Sequence, residues 1–271
     1  MSYSLPQLEE TCKTIRKDIL KMTHLAGSGH PGGSLSAVEL MVGLYFGVLK
    51  HNSTDPNWED RDRFILSKGH AAPVHYSVLS RTGYFSPEIL DTLRKFGSIL
   101  QGHPNMHKVP GLDCSSGSLG QGLSIANGLA MAAKMRKKDY RVYCLLGDGE
   151  LQEGQIWEAA MTAPQHKLDN VCAMVDYNRV QLDGPISEIK ELHPLTDKWK
   201  SFNWNVIEID GHNIEEVMKA YEEAANTKGK PSVIIARTIK GKGVSFMENK
   251  AEWHGKSPNS KEYEAAIAEI R

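Results

Sequence analysis

The chain has 271 residues, a formal net charge of −1 and four cysteines. Its length is enough for one large α/β domain with a buried core, and the near-neutral charge without a basic patch argues against nucleic acid as a partner. No signal peptide and no apolar run of about 18 residues is evident, and the cysteines lack zinc spacing, so we expect a cytoplasmic protein with reduced thiols that does not span a membrane.

The first half of the chain is predicted to be mostly helical, with loops rich in glycine and histidine. Apolar residues recur at spacings of three and four along the first helix, and Gly27 ends it. Ser36 and Glu39 have the spacing of a capping box at the start of an almost wholly apolar helix. The predicted elements are a helix at 6–25, a tight loop at 28–34, a helix at 36–49, a strand at 64–66, a helix ending at 81, a helix at 86–97, a long loop at 97–118 and a small-residue helix ending near 138.

The middle of the chain predicts a strand, a helix and a second strand. The apolar runs at 142–146 and 171–175 are typical of buried parallel strands, and the stretch at 150–166 is helical in pattern. Two strands joined in this way should be parallel, with a right-handed crossover.

Asp148 and Asn178 lie just past the ends of these two strands, thirty residues apart. If the strands are neighbours, a carboxylate and an amide oxygen converge, and such oxygens suit Mg²⁺, with Ca²⁺ or Mn²⁺ as alternatives. Gly147 and Gly149 let the backbone approach a bulky anion, and the following helix N-terminus favours negative charge. The alternative is that Gly-Asp-Gly is only a tight turn and Asn178 a cap residue, but the spacing favours a diphosphate held through a metal.

The last third of the chain predicts two more strands around a helix that Asn213 caps. The predicted elements are an irregular segment at 179–193, a strand at 205–209, a helix ending at 226, a strand at 232–237 and a helix from 260. At least five strands with helical crossovers predict an α/β fold, a doubly wound and mostly parallel sheet flanked by helices. Ligands then bind outside the carboxyl ends of the strands.

Four histidines lie in loops beside glycine or proline: His30, His70, His103 and His254. A single loop histidine is more often structural or on the surface. Four of them near element ends favour ligand contact and proton transfer near neutral pH.

These motifs resemble those of a known family. Gly147-Asp148-Gly149 followed by Asn178 resembles the fingerprint of the thiamine-diphosphate enzymes, and residues 147–154 look like transketolase. The segments 28–32, 67–70, 102–104 and 254–255 look like the active-site histidine motifs of that family. The resemblance covers nearly the whole chain and implies a thiamine-diphosphate-binding fold.

The resemblance also implies roles for individual residues. The histidines named above would be catalytic, contacting the sugar and moving protons, and Asp148, Asn178 and the Val180 carbonyl would bind the metal. The alternative for Lys68 and Lys240 is that they are solvated surface lysines. Glu153 is expected to hydrogen-bond across a dimer; the alternative is a solvated acid in the first turn of a helix. The implied cofactor-binding residues are Lys68, His70, Gly120, Gly147, Asp148, Gly149, Glu153, Asn178, Gln181, Lys240 and His254; Asp176 and Asp183 are weaker candidates and are not included.

The resemblance is to the first of three transketolase domains. We therefore expect one diphosphate-binding domain at 1–271, without the pyrimidine-binding and C-terminal domains, and a partner: a C-terminal transketolase subunit that completes an α2β2 enzyme. The implied reaction transfers a two-carbon ketol unit between sugar phosphates in the pentose phosphate pathway. The alternatives are a transketolase for an unusual sugar, a deoxyxylulose-phosphate synthase or 2-oxoacid dehydrogenase subunit, and a partner protein that only binds metal diphosphate.

Overall fold

The structure is a computed structural model that describes residues 3–270; Met1, Ser2 and Arg271, which belong to the predicted domain at 1–271, lie outside it. Its α-helices are α1 (Leu5–Ala26), α2 (Pro31–Leu35), α3 (Val38–Gly43), α4 (Ala72–Arg81), α5 (Gly122–Met135), α6 (Gly154–Gln165), α7 (Ile186–Ile189), α8 (Leu195–Ser201), α9 (Ile214–Asn226) and α10 (Ser260–Glu269). Its strands are β1 (Arg63–Leu66), β2 (Val142–Gly147), β3 (Val171–Tyr177), β4 (Val180–Gln181), β5 (Gly184–Pro185), β6 (Asn205–Asp210) and β7 (Ser232–Arg237).

Five of the strands form one parallel sheet in the order β1-β2-β3-β7-β6, and β4 pairs with β5 in a small antiparallel hairpin. β2 and β3 are neighbours, with Gly147 opposite Asp176 at their carboxyl ends. The predicted parallel α/β sheet and the adjacency of its two central strands are therefore confirmed. Within residues 3–270, none of the helices has the length and apolar character needed to cross a bilayer.

The sheet has a hydrophobic core on each face. Successive side chains of a strand point to opposite sides, so Leu145 and Met174 belong to one core while Leu146 and Val175 belong to the other. The first core packs α1, α3, α4 and α9 against the sheet, and the second packs α5, α6 and α8. Burial on both faces explains why these strands read as continuous apolar runs.

Two predicted helix ends are confirmed. Gly27 follows α1 in the left-handed region, with a φ of 58°, a conformation that glycine adopts without a Cβ penalty. The Asn213 side chain accepts hydrogen bonds from the backbone N–H groups of Glu215 and Glu216 at the start of α9.

The predicted capping box of Ser36 and Glu39 is wrong. The apolar segment is divided into α2, α3 and a π-helix at Leu44–Val48, and α2 occupies part of the predicted tight loop. Ser36 Oγ donates to Asp176 Oδ2 at 2.6 Å, and Glu39 accepts from Arg16 at 2.6 Å. Both side chains are taken by partners distant in sequence, and no capping interaction forms at the start of α3.

Three other predictions of secondary structure differ from the structure. The predicted helix at 150–166 is divided into a 3-10 helix at Gly149–Gln152 and α6, because Glu153 between them has an extended backbone. The predicted helix at 86–97 is only a 3-10 helix at Pro87–Thr92, because Arg94 adopts a φ of 60° that ends any helix. The predicted irregular segment at 179–193 contains β4, β5 and α7, and α8 was not predicted. α8 is short, and its Trp199 is fully buried between α6 and the sheet.

Candidate active site

The carboxyl ends of four parallel strands bring four predicted site residues to one edge of the sheet. Lys68 follows β1, Asp148 follows β2, Asn178 follows β3 and Lys240 follows β7, each within three residues of the strand's end. Parallel strands end at the same edge of a sheet, so these polar side chains converge although 172 positions separate the first from the last (240 − 68).

A cavity of about 230 Å³ opens at this edge. The predicted site residues that line it are Lys68, His70, Gly147, Asp148, Gly149, Asn178, Val180, Gln181, Lys240 and His254. Gly33, Leu119, Glu150 and Leu182 also line it and were not predicted. His30, His103, Gly120 and Glu153 do not line this cavity.

Asp148 is a buried carboxylate that, among residues 3–270, no side-chain cation neutralises by direct contact. It is 3% exposed, and its oxygens accept hydrogen bonds from the backbone N–H groups of Gly149 and Arg179. Burial and the nearby Asp176 carboxylate raise the pKa of Asp148 to about 7. A bound cation would compensate this charge, so the environment of Asp148 fits a metal ligand.

Asn178 and Val180 present further oxygens beside Asp148. Asn178 Oδ1 accepts from the Val180 N–H at 3.1 Å, which leaves a second lone pair, and its Nδ2 donates to Asp176 at 3.2 Å. The Val180 carbonyl accepts from the Lys240 ammonium at 2.9 Å. This carbonyl therefore already contacts a cationic group at the cavity. One carboxylate, one amide and one carbonyl match the oxygen preference of Mg²⁺. Residues 3–270 contain no cluster of three or more His, Cys, Asp or Glu side chains that could bind a metal.

Asp176, which the sequence marks only as a weaker site candidate, is the centre of the buried polar network below the cavity. It is fully buried and accepts hydrogen bonds from the side chains of Ser36, Lys68, Thr238 and Asn178. Burial alone would raise the pKa of its carboxyl, but the Lys68 ammonium and the hydroxyl donors hold that pKa below its usual value. Asp176 therefore stays ionised and fixes the orientation of the Asn178 amide.

Glu150 connects three segments around the cavity. Its carboxylate accepts from Ser67 Oγ and from the backbone N–H groups of Gly120, at 2.8 Å, and Gly147, at 3.0 Å. Gly120 thus lies one contact away from the cavity, while Glu153 is exposed at the start of α6. A Cβ on Gly120 would come within 2.9 Å of the Glu153 side chain, so the two segments pack closely.

The four predicted histidines lie together beside the cavity. The ring centroid of His30 lies 5.3 Å from that of His70, 6.4 Å from that of His103 and 5.5 Å from that of His254, and the rings of His70 and His254 are 4.9 Å apart. Four loops that are remote in sequence thus form one cluster.

The histidine cluster is neutral at pH 7. Burial and neighbouring positive groups lower the pKa of His30 to about 4 and that of His254 to about 3, and they also lower those of His70 and His103. Neutral imidazoles can both donate and accept hydrogen bonds, which suits contacts with sugar hydroxyls and carbonyls.

Arg94 lies against this cluster and was not predicted. Its guanidinium donates to Ser28 Oγ at 2.8 Å and lies 3.4 Å from His30 Nδ1, and a Cβ on Gly102 would come within 2.9 Å of it. A positive charge beside an imidazole disfavours protonation.

We expect Arg94→Gln to raise the pKa of His30, by about one unit or less, because the change removes the positive charge beside its ring. The titration of the His30 ring, followed by NMR, measures this shift. Lys95→Gln is the matched control, since it removes an exposed positive charge from the next position. An unchanged His30 titration in Arg94→Gln, or an equal shift in both variants, would contradict the assignment.

Comparison with known proteins identifies the family. Residues 8–269 match the model of the transketolase thiamine diphosphate binding domain. The chain belongs to the transketolase family. The resemblance seen in the sequence is therefore confirmed, and thiamine diphosphate is the cofactor of the matched domain.

The relatives named here differ in the share of their length that this chain covers. The chain is 46% identical to the 6-deoxy-6-sulfo-D-fructose transketolase subunit SqwG of Clostridium sp. (strain MSTE9), covering 100% of this chain and 98% of that protein. It is 43% identical to one subunit of the apulose-4-phosphate transketolase of Phocaeicola vulgatus, covering 97% of this chain and 93% of that protein. It is also 43% identical to the transketolase of Homo sapiens, but there it spans only 42% of the relative.

Solved transketolases have the same fold over this region. The structure superimposes on the transketolase of Campylobacter jejuni with a TM-score of 0.94 at 35% identity, covering 99% of this chain and 43% of that one. The match to the transketolase of Leishmania mexicana has a TM-score of 0.92 at 31% identity and spans 42% of that chain. The chain therefore corresponds to less than half the length of these transketolases.

Proposed function

We propose that this chain is the thiamine-diphosphate-binding subunit of a two-subunit transketolase. The enzyme transfers a two-carbon ketol unit from a ketose phosphate to an aldose phosphate. The observation that carries the proposal is the convergence of Asp148, Asn178, His70 and His254 at one cavity, with His30 packed beside those two rings and His103 beside His30. The chain also spans at least 93% of relatives that are themselves named as transketolase subunits.

The metal site is the first part of the proposal. Asp148, Asn178 and the Val180 carbonyl would bind Mg²⁺, and Ca²⁺ or Mn²⁺ could replace it. The buried charge of Asp148 supports this assignment, since within the described part of the chain its hydrogen-bond donors are the backbone N–H groups of Gly149 and Arg179 alone. The lack of a side chain at Gly149 leaves room for Gln181 beside the site, because a Cβ on Gly149 would lie 3.1 Å from the Gln181 side chain.

The second part concerns the diphosphate. Lys240 and Lys68 supply positive charge at the cavity, and burial lowers the pKa of Lys240 to about 8. The negative charge of the diphosphate would compensate the Lys240 ammonium, whose hydrogen-bond partners, the Val180 carbonyl and His254, are uncharged. Lys68 is already paired with Asp176, so we assign direct diphosphate contact to Lys240 and the positioning of the buried network to Lys68.

The third part concerns proton transfer. Thiamine diphosphate supplies the electron sink for breaking and forming the carbon–carbon bond. The histidine cluster would orient the sugar through its hydroxyl and carbonyl oxygens and carry protons to and from them. Its neutral state at pH 7 supports the orienting role, since a neutral ring can donate one hydrogen bond to the sugar and accept another from it.

The partner is expected to be a C-terminal transketolase subunit that carries the pyrimidine-binding domain, and we propose a heterotetramer with two copies of each chain. The names of the relatives of matching length, which describe them as subunits, support a partner. In this proposal the described chain is the single diphosphate-binding domain of a cytoplasmic enzyme. Its four free cysteines are consistent with a reducing compartment.

The test is a reconstitution assay. The chain is assayed alone and with the product of a neighbouring reading frame that encodes a pyrimidine-binding domain, using xylulose 5-phosphate as donor and an aldose phosphate as acceptor. We expect ketol transfer only from the mixture. Full activity of the chain alone would refute the two-subunit proposal, and decarboxylation of pyruvate by the mixture would favour a different thiamine-diphosphate enzyme.

A second candidate is a transketolase for an unusual sugar. It is favoured by two relatives of matching length, whose names give 6-deoxy-6-sulfo-D-fructose and apulose 4-phosphate as substrates. The same assay with these two donors separates the candidates. A kcat/KM for either donor that exceeds the value for xylulose 5-phosphate would establish the second.

A further inference from the structure

The segment that carries Lys240 is anchored on both sides of that residue. The Ile239 N–H donates to His212 Nε2 at 2.8 Å, and the Gly241 N–H donates to the Gly32 carbonyl at 3.0 Å. Arg16 Nε donates to the Lys242 carbonyl at 3.2 Å. Three backbone units around Lys240 are therefore tied to separate parts of the fold.

Two of these anchors share one buried carboxylate. Glu39 Oε1 accepts from Arg16 Nη2 at 2.6 Å, and Glu39 Oε2 lies 3.0 Å from His212 Nδ1. The side chains of Arg16, Glu39 and His212 are only 8–11% exposed. The His212 hydrogen bond and the Arg16 charge outweigh burial and lower the pKa of Glu39, so this carboxylate is ionised.

The hydrogen bonds fix the tautomer of His212. A backbone N–H can only donate, so Nε2 must offer a lone pair to Ile239. The proton of the neutral ring is then on Nδ1, where it is donated to Glu39. Glu39 therefore orients a ring whose other nitrogen holds the Lys240 segment, as carboxylates orient histidines in metal sites.

Close packing holds the His212 turn against the same segment. The Gly211 N–H donates to the Arg237 carbonyl at 2.8 Å. A Cβ on Gly211 would lie 2.5 Å from Thr238 Cγ2 and 3.0 Å from the Ala236 side chain. The turn thus lies directly on the end of β7, with no space for a side chain at Gly211.

We propose that Glu39 and His212 are positioning residues for Lys240. They hold the segment so that Lys240 Nζ reaches the Val180 carbonyl and His254 Nδ1, both at 2.9 Å. This inference rests on the proposed function, in which Lys240 contacts the diphosphate. Neither Glu39 nor His212 lines the cavity, so their effect on the cofactor passes through Lys240.

Two substitutions of His212 separate the loss of the acceptor for the Ile239 N–H from the loss of the imidazole ring itself. His212→Gln can place an amide oxygen near the position of Nε2, so it can still accept from Ile239. The shorter side chain of His212→Asn leaves the Ile239 N–H without its acceptor. His107→Asn is the matched control, because His107 is exposed.

The first measurement is amide hydrogen exchange of Ile239, with Ile234 inside β7 as the internal reference. We expect His212→Asn to raise exchange at Ile239 at least about tenfold while Ile234 stays protected. His212→Gln should retain most of the protection. Unchanged exchange at Ile239 in His212→Asn would overturn the proposal.

The second measurement is the affinity for thiamine diphosphate with Mg²⁺, by calorimetry. We expect His212→Asn to weaken binding by roughly 10–100-fold, as the loss of a supporting residue does in metal sites, and His212→Gln to restore most of it. Wild-type affinity in His212→Asn would overturn the positioning role alone. Failure of the wild-type chain to bind the cofactor would instead count against the proposed function.

If a His212 variant unfolds, the tautomer of His212 in the wild-type chain still tests the proposal. The ring nitrogen shifts of His212 in the wild-type chain report the tautomer directly. A proton on Nδ1 with a bare Nε2 supports the arrangement, and the opposite tautomer or a cationic ring overturns it.

Discussion

Replacement of Asp148 by alanine is expected to abolish metal-dependent binding of thiamine diphosphate. Asp148 is the one carboxylate in the proposed metal site, and it is buried without a side-chain cation from residues 3–270 in contact with it. Supporting residues alone change metal affinity by 10–100-fold, so loss of the charged ligand should cost more than about 100-fold. Calorimetric titration of the cofactor, with Mg²⁺ and with EDTA, measures the change.

The matched control for Asp148→Ala is Asp183→Ala. Asp183 is exposed, lies in the turn between β4 and β5, and does not line the cavity. We expect this control to bind the cofactor with Mg²⁺ like the wild-type chain. Cofactor affinity of Asp148→Ala within a few-fold of the control would remove Asp148 from the metal site.

Asp176→Ala is expected to cost about 3–5 kcal/mol of unfolding free energy, because it leaves a buried ammonium without its counter-charge. Lys68 is 1% exposed and makes one other hydrogen bond, to the Gly33 carbonyl. Thr238 also loses its acceptor, and Ser36 is left with the Gly33 carbonyl at 3.2 Å, which adds to the cost. Urea unfolding followed by circular dichroism measures the loss.

A control variant shows how much of the expected cost comes from the burial of the Lys68–Asp176 pair and how much from the loss of any ion pair. Glu208→Ala breaks the exposed pair with Arg237, and such pairs contribute about 1 kcal/mol or less. The account also expects Lys68→Met combined with Asp176→Leu to be less destabilised than Asp176→Ala, since no buried charge then remains unpaired. A cost for Asp176→Ala equal to that of Glu208→Ala would show that the buried pair contributes no more than an exposed one.

The strands were predictable from the sequence because the sheet is buried on both faces. The apolar run at 232–237 coincides with β7, and the run at 142–146 lacks only the terminal Gly147 of β2. The proposed metal ligands followed from the same pattern, since Asp148 and Asn178 closely follow such runs. The local sequence pattern was sufficient for prediction at those positions where the local preference of the residues agrees with the tertiary structure.

Residues whose partners lie far along the chain were not predictable. Asp176 reads as the end of an apolar strand, and its role depends on Lys68, 108 residues away. Ser36 and Glu39 have capping-box spacing, but Asp176, Arg16 and His212 take those side chains. The role of Arg94 depends on a φ of 60° and on Ser28, neither of which leaves a sequence signal.

In the proposed cofactor site, Asp148, Asn178 and the Val180 carbonyl bind the metal that holds the diphosphate. The most direct measurement is anomalous scattering from crystals grown with thiamine diphosphate and Mn²⁺. The account predicts one Mn²⁺ peak at coordination distance, about 2.0–2.6 Å, from these three oxygens and from the diphosphate. A cofactor-bound crystal in which Mn²⁺ contacts the diphosphate but neither Asp148 nor Asn178 would contradict it.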